Sequence, residues 1–336
     1  MPQLTILSAL PDGLLELQAT QLNSLLPGPC LIHLQGRQSA PLFVSVLLHG
    51  NEDTGWEAIR RILHKYADTE LPRSLSLFIG NISAAQQGLR RLDGQLDYNR
   101  IWGEGDSQEH KLAQLVLHEM QDREVYAAID IHNNTGRNPH YGCINRLSAQ
   151  FLHLATLFGR TVVYFTKPDS VLSMAFADLC PSLTVECGQA GEEAGIEHAQ
   201  ALIDACLHQS QIPEHPVAAG DIHLFHTMAI IKVPESVSFH FNGQPGVDIH
   251  FDAGLDSLNF RELPAGTVIG HVCANSEVML EAWNEQGVDV AELYFERVGD
   301  DIVLKRPVMP SMLTLDERVI RQDCLCYFME RLEFQS

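Results

Sequence analysis

Between about Ala40 and Ser210 the chain alternates short apolar runs with amphipathic stretches, the pattern of an α/β domain built on a largely parallel sheet. The strand candidates are Leu42–Leu48, Leu75–Gly80, Val125–Ile131, Thr161–Phe165 and Ser182–Cys187. Helices are expected between them. One starts at Asp53 or Thr54, either of which can cap it, and carries Trp56, Ile59, Leu63 and Tyr66 on one face. A second starts near Ser107 with Leu112, Leu115, Val116 and Met120 inward, a third runs from Ser148 towards Gly159, and a fourth runs from about Glu192 to Gln209.

After a linker-like stretch, Ile212–Gly220, the texture changes. Asn242-Gly, Pro245-Gly, Ala253-Gly, Pro264-Ala-Gly266 and Val298-Gly punctuate short β-branched runs such as Thr267–Val272, so the tail is expected to be mostly β. The chain therefore divides into a larger α/β domain over residues 1–212 and a smaller β-rich domain over residues 213–336.

In open α/β sheets the functional crevice lies outside the carboxyl ends of the strands. Three candidate strands end there in an ionisable residue. Leu42–Leu48 runs into His49-Gly-Asn-Glu52, Val125–Ile131 into His132-Asn-Asn-Thr, and Leu183-Thr-Val185 into Glu186-Cys-Gly188. Gly or Asn follows each, which lets the chain turn sharply. Two histidines and a carboxylate are a common protein set for a catalytic zinc that keeps a fourth position for water, so His49, Glu52 and His132 are the candidate ligands. Asp130 lies two residues before His132, on the same strand face, where it can orient a ligand imidazole. Taken singly, each residue has an ordinary explanation: a loop histidine, a helix-start acid favoured by the macrodipole, a strand-end carboxylate. Their conjunction is what argues for a site.

The formal charge of −21 repels phosphate backbones and anionic membranes, so neither nucleic acid nor a membrane surface is an expected partner. An anionic substrate needs a local cluster of arginines. The eight cysteines are scattered without CxxC pairs; the closest approach, Cys324-Leu-Cys326, reads as small apolar core residues. With no basic n-region and no apolar run of about 18 residues, a reducing, cytoplasmic home is expected. The histidines of the tail, His223, His226, His240, His250 and His271, are too scattered to suggest a second metal.

The string His49-Gly-Asn-Glu-Asp-Thr-Gly55 resembles the HGNExxG zinc motif of the succinylglutamate desuccinylase and aspartoacylase family, a branch of the zinc carboxypeptidases. The order of the remaining motifs is similar too: Gly80-Asn81-Ile-Ser-Ala, Arg90-Arg91, Asp97-Tyr-Asn99-Arg100-Ile-Trp, Asp130-Ile-His132-Asn, and Val185-Glu186-Cys-Gly188. The resemblance runs from about residue 40 to 190, and the tail is similar in texture to the family's C-terminal domain. Ile82 stands where a Pro is usual and Tyr98 where a Leu is usual. The resemblance implies a three-layer zinc-carboxypeptidase-like domain with a mixed, largely parallel sheet. It implies one zinc per chain on His49, Glu52 and His132, with Glu186 as the base. It also implies that Asn99 and Arg100 bind a substrate carboxylate and that Arg90 or Arg91 polarises the scissile carbonyl. Arg137, in the loop after His132, is a further candidate for substrate contact.

The expected activity is hydrolysis of an amide beside a free carboxylate. The substrate is a small anionic acyl amino acid or, in a rival reading, the C-terminus of a peptide. A second rival is a binding protein on the same scaffold, which predicts a lost ligand or base, and none is lost. A homo-oligomer is compatible with the sequence.

Overall fold

The computed structural model describes residues 3–241, 243, 245–273 and 277–333; of the turn signals, Asn242 lies outside them. The chain forms two compact units. One runs through Asn133 and resumes over His140–Leu224, and the other takes Asn134–Pro139 and Phe225–Glu333.

The first unit holds strands β1 (Thr5–Leu7), β2 (Cys30–Leu34), β3 (Gly36–Val46), β4 (Leu71–Ile79), β5 (Ala127–His132), β6 (Tyr141–Ile144), β7 (Thr161–Tyr164) and β8 (Ser182–Glu186). They lie side by side in the order β1-β2-β4-β3-β5-β8-β6-β7. The central four, β4, β3, β5 and β8, are mutually parallel, while β2 and β6 run against their neighbours β4 and β8. The sheet is thus mixed with a parallel heart. From β3 the chain first crosses to β4 on one side and later to β5 on the other, so a switch point opens beside the carboxyl end of β3.

The parallel strands are buried on both faces, which is why they read as unbroken apolar runs rather than alternating ones. On one face Phe43, Phe78 and Ala128 pack with Leu112, Val116 and Met120 of α3 (Gln108–Gln121) and Phe176 of α5 (Leu172–Phe176). Phe43 and Phe176 stack with ring centroids 4.2 Å apart. Each such fully buried side chain contributes about 1.5–3 kcal/mol by leaving water. Helices α1 (Thr54–Lys65) and α6 (Glu193–His208) pack on one another and on the sheet strands β5 and β4. The other α-helices of this unit among the described residues are α2 (Ile82–Ala85) and α4 (Ala149–Thr156), the latter preceded by Ser148 as expected.

Two inward assignments are corrected. Leu115 is 55% exposed, because it lies off the buried Leu112, Val116 and Met120 stripe of α3. Tyr66 sits past the end of α1, half-buried, and donates its hydroxyl to Asp204 at 2.8 Å. The amphipathic spacing extends one residue beyond the helix itself.

The second unit is β-rich. The strands Glu281–Asn284, His223–Lys232, Cys326–Arg331 and Met309–Ser311 pair antiparallel in that order. A separate five-stranded sheet combines Phe239–His240, Ile249–His250, Val268–Val272, Asp301–Leu304 and Phe295–Val298. Phe239, Phe241, Phe251, Tyr294, Phe295 and Phe328 are the aromatic members of its core. Cys324 and Cys326 are buried and all eight cysteines are free. Among the described residues no helix is long and apolar enough to cross a membrane.

Candidate metal centre and active site

Strand β3 ends at Val46, and the next residue, Leu47, adopts a left-handed conformation with φ 58°. For a buried leucine that conformation costs roughly 1–2 kcal/mol. Such outliers persist where the surroundings enforce them, and here the Leu47 carbonyl accepts the amide of Asn81 at 2.6 Å. The turn delivers His49. Gly50 follows with no room for a side chain, since a Cβ would come 2.2 Å from the Ala85 nitrogen. Glu52 then closes the turn, its amide donating to the His49 carbonyl at 3.2 Å, and α1 begins two residues later.

The sheet supplies the other two strand ends in register. His132 of β5 pairs with Glu186 of β8, and the Cys187 amide donates to the His132 carbonyl at 3.0 Å. His49, Glu52, His132 and Glu186 are all buried.

The Glu52 carboxylate lies between the two imidazoles. Its Oε1 is 2.8 Å from His49 Nδ1 and its Oε2 is 2.7 Å from His132 Nδ1. The far ring nitrogens also face carboxylates: His49 Nε2 meets Asp97 Oδ1 at 3.0 Å, and His132 Nε2 meets Asp130 Oδ2 at 2.9 Å. A carboxylate only accepts, so each imidazole flanked by two of them needs a proton on both nitrogens. Burial and Arg90 push His49 down, but Glu52 and Asp97 outweigh them and raise its pKa. Burial likewise works against His132, and Asp130 and Glu52 raise it well above the ordinary range. Against the cost of burial, the two histidines hold Glu52 far below the usual carboxylate range.

This donor set fits a divalent cation. One ligand atom from each of His49, Glu52 and His132 lies within 4.8 Å of the others, the one such group of His, Cys, Asp or Glu among the described residues. His49, Glu52 and His132 would hold such a cation in place of protons on the imidazoles, and Asp97 and Asp130 would then orient the two rings, the usual role of outer carboxylates beside ligand imidazoles.

Glu186 has a different environment. Burial raises its carboxyl to about 7, with His132 pulling down and Glu52 pushing up. A carboxyl titrating near neutrality in a polar, buried site is suited to taking and returning a proton.

The arginines separate. Arg90 donates from Nη2 to Asp97 Oδ2 at 3.0 Å, and its Nη1 lies 3.6 Å from Glu52 Oε1. Arg91 turns away and donates to the Gln95 carbonyl at 2.6 Å. Asn99 is buried beside His132, its Nδ2 3.4 Å from Nε2, and its Oδ1 accepts the Leu172 amide at 3.2 Å. Arg100 is half-buried and donates to the Asn99 carbonyl at 2.9 Å. Arg137 belongs to the second unit, where its Nε lies 3.6 Å from Asp256 and its side chain is 71% exposed.

Asp97 had no role assigned from the sequence beyond its place in a motif, yet it joins His49, Arg90 and the Asn99 amide, the last at 2.7 Å. Histidine and arginine hold its carboxyl well below the usual range, against the effect of burial. Asn133 was read only as a turn residue.

The family model of the succinylglutamate desuccinylase/aspartoacylase catalytic domain matches residues 41–210, just over half of the chain. A sequence comparison with curated proteins finds no match. Among solved structures, succinylglutamate desuccinylase/aspartoacylase from Rhodobacter sphaeroides superposes with a TM-score of 0.59 at 15% identity, over 90% of this chain and 89% of that one. Succinylglutamate desuccinylase from Chromobacterium violaceum gives 0.58 at 16% identity, over 90% and 87%. Murine aminoacylase 3 gives 0.52 at 15% identity, over 88% and 96%. At such identities the structures speak for the fold alone, and the family model carries membership. The chain belongs to the succinylglutamate desuccinylase/aspartoacylase family.

Proposed function

We propose that the protein is a zinc-dependent deacylase of N-acyl amino acids, hydrolysing an amide bond beside a free carboxylate. One observation carries the reading: a carboxylate set between two imidazole Nδ1 atoms, with Glu186 on the neighbouring strand in register with one of them. Zinc bound by His49, Glu52 and His132 supplies Lewis acidity and acidifies water at neutral pH.

Glu186 takes the proton from the attacking water and returns it to the leaving amine. Arg90, rather than Arg91, donates to the oxygen that becomes negative as the carbonyl is attacked, because its guanidinium reaches Glu52 and Asp97. Asn99 and Arg100 hold the substrate carboxylate, for which the planar guanidinium fork is well matched. These arginines supply local positive charge on a chain whose formal charge is −21. Arg137, paired with Asp256, takes no part in these steps.

The family and the similar solved proteins, two desuccinylases and an aminoacylase, suggest the substrates to try first. The zinc-loaded protein should hydrolyse N-succinylglutamate or N-acyl aspartates faster than N-acyl neutral amino acids. Glu186→Gln should keep the zinc and lose roughly 10²–10⁴ in kcat. Release of C-terminal residues from a short peptide, with no turnover of acyl amino acids, would replace this reading by a carboxypeptidase.

A further inference from the structure

The ladder between β5 and β8 ends where His132 faces Glu186. Past that point the two chains diverge, and Gly188 takes a left-handed φ of 74°, where a Cβ would come 2.9 Å from both Glu192 and His140. One buried side chain spans the gap. Asn133 donates one amide hydrogen to the Gly188 carbonyl at 3.0 Å and the other to Thr54 Oγ1 at 2.9 Å. Its Oδ1 faces the Thr54 amide at 3.4 Å, one of the N–H groups at the start of α1 that have no intrahelical partner. Its backbone N–H donates to Glu52 Oε2 at 3.2 Å.

We infer that Asn133 is a positioning residue for the hydrolysis, setting the separation between the loop that carries Glu52 and the loop that follows Glu186. The inference rests on Glu186 being the base. All its side-chain tethers sit within two residues of Glu52 or Glu186, and both amide hydrogens are used, so no rotamer keeps one arm and frees the other. Without the side chain the Gly188 carbonyl and Thr54 hydroxyl lose their shared partner, and the two loops relax independently. The backbone bond to Glu52 survives any substitution at this position other than proline. Asn133 therefore acts on the base's placement more than on metal retention.

The test uses the zinc-loaded, full-length protein as Asn133→Ala, Glu186→Gln and the double variant. Asn133→Ala should hold zinc like the parent and keep KM within about threefold, while kcat falls roughly 10- to 100-fold, the scale of a misplacement of about 1 Å. In the Glu186→Gln background the same change should cost less than about twofold, because residues acting as a unit are non-additive. Thr54→Val removes one arm while keeping the side-chain shape; it should repeat the pattern with a smaller kcat loss, and it serves if Asn133→Ala does not fold. A kcat within about twofold of the parent, a loss of activity that tracks loss of zinc, or an undiminished penalty in the Glu186→Gln background overturns the inference but leaves the proposed function standing. A near-parental rate for Glu186→Gln alone overturns both.

Discussion

The strand ends and the arginine loop of the first unit hold their functional groups by different means. His132 and Glu186 are placed by a hydrogen-bonded parallel ladder, and His49 by a buried turn with Leu47 in a left-handed conformation. Arg90, Asn99 and Arg100 stand on the irregular stretch between α2 and α3, held by side chains and by one another. Backbone register is cooperative and resists local change. A loop held by Asp97 and Gln95 can be reorganised by single substitutions. Under the proposed mechanism the strand ends carry the metal-binding histidines and the base, while the loop supplies Arg90 and the groups that meet the substrate carboxylate, and substitutions can test that division.

The largest effect is expected at the sheet. His132→Ala should abolish zinc binding and activity together, measured by metal analysis and turnover, because a ligand is lost and Glu52 keeps only one of its two imidazole partners. Full zinc content with lost activity would move the metal elsewhere. Within the loop, Arg90→Ala should lower kcat by about 10²–10³, whereas Arg91→Ala should stay within a few-fold of the parent, since Arg91 is committed to the Gln95 carbonyl. Equal losses would erase the distinction between the two.

The smallest effect is thermodynamic. In the metal-free protein His49 and His132 have raised pKa values, so their stabilising contribution is complete below their unfolded value of about 6.5 and is lost as pH rises through the folded values. Glu186, raised to about 7, acts in the same direction, because folding favours its protonated form. Glu52 and Asp97 are lowered, so their contributions are present at neutral pH and are lost only on acidification. The rise in Tm on adding zinc should therefore grow over the interval above about pH 6.5, as the pH climbs through the raised values of the two histidines and they give up the protons with which the metal competes. A zinc-induced shift that is flat or shrinks over that interval would argue against these histidines as the ligands.

Much of the sheet was legible because parallel strands buried on both faces leave unbroken apolar runs, and α1 because Trp56, Ile59 and Leu63 repeat at helical spacing. The strands β1, β2 and β6 were not legible. β1 has three residues, and β6 is Tyr-Gly-Cys-Ile, with a glycine at its centre that would otherwise press within 3.0 Å of Leu183. β2 follows Pro27 and Pro29 closely, where turn residues mask a short run. At the site, ligand candidates announced themselves as ionisable groups ending apolar strands. Choosing between Arg90 and Arg91 depended on where two adjacent side chains point, which the loop decides through Asp97 and Gln95. Asn133 was hidden for the opposite reason: an asparagine after a strand is so commonly a turn former that nothing in the string marks it as a tether.

The pairing of His132 with Glu186 has a consequence for how such a protein can be altered. Neighbouring strands lie about 4.8 Å apart in any sheet, so the backbone spacing of His132 and Glu186 is inherited from the architecture, and only their side chains and the loops that follow them are open to adjustment. An engineer seeking a new acyl group or amino acid would leave β5 and β8 alone, keep Arg90, Asp97 and Asn99, which touch Glu52, His49 and His132, and vary the other side chains of the stretch from Gln86 to Arg100.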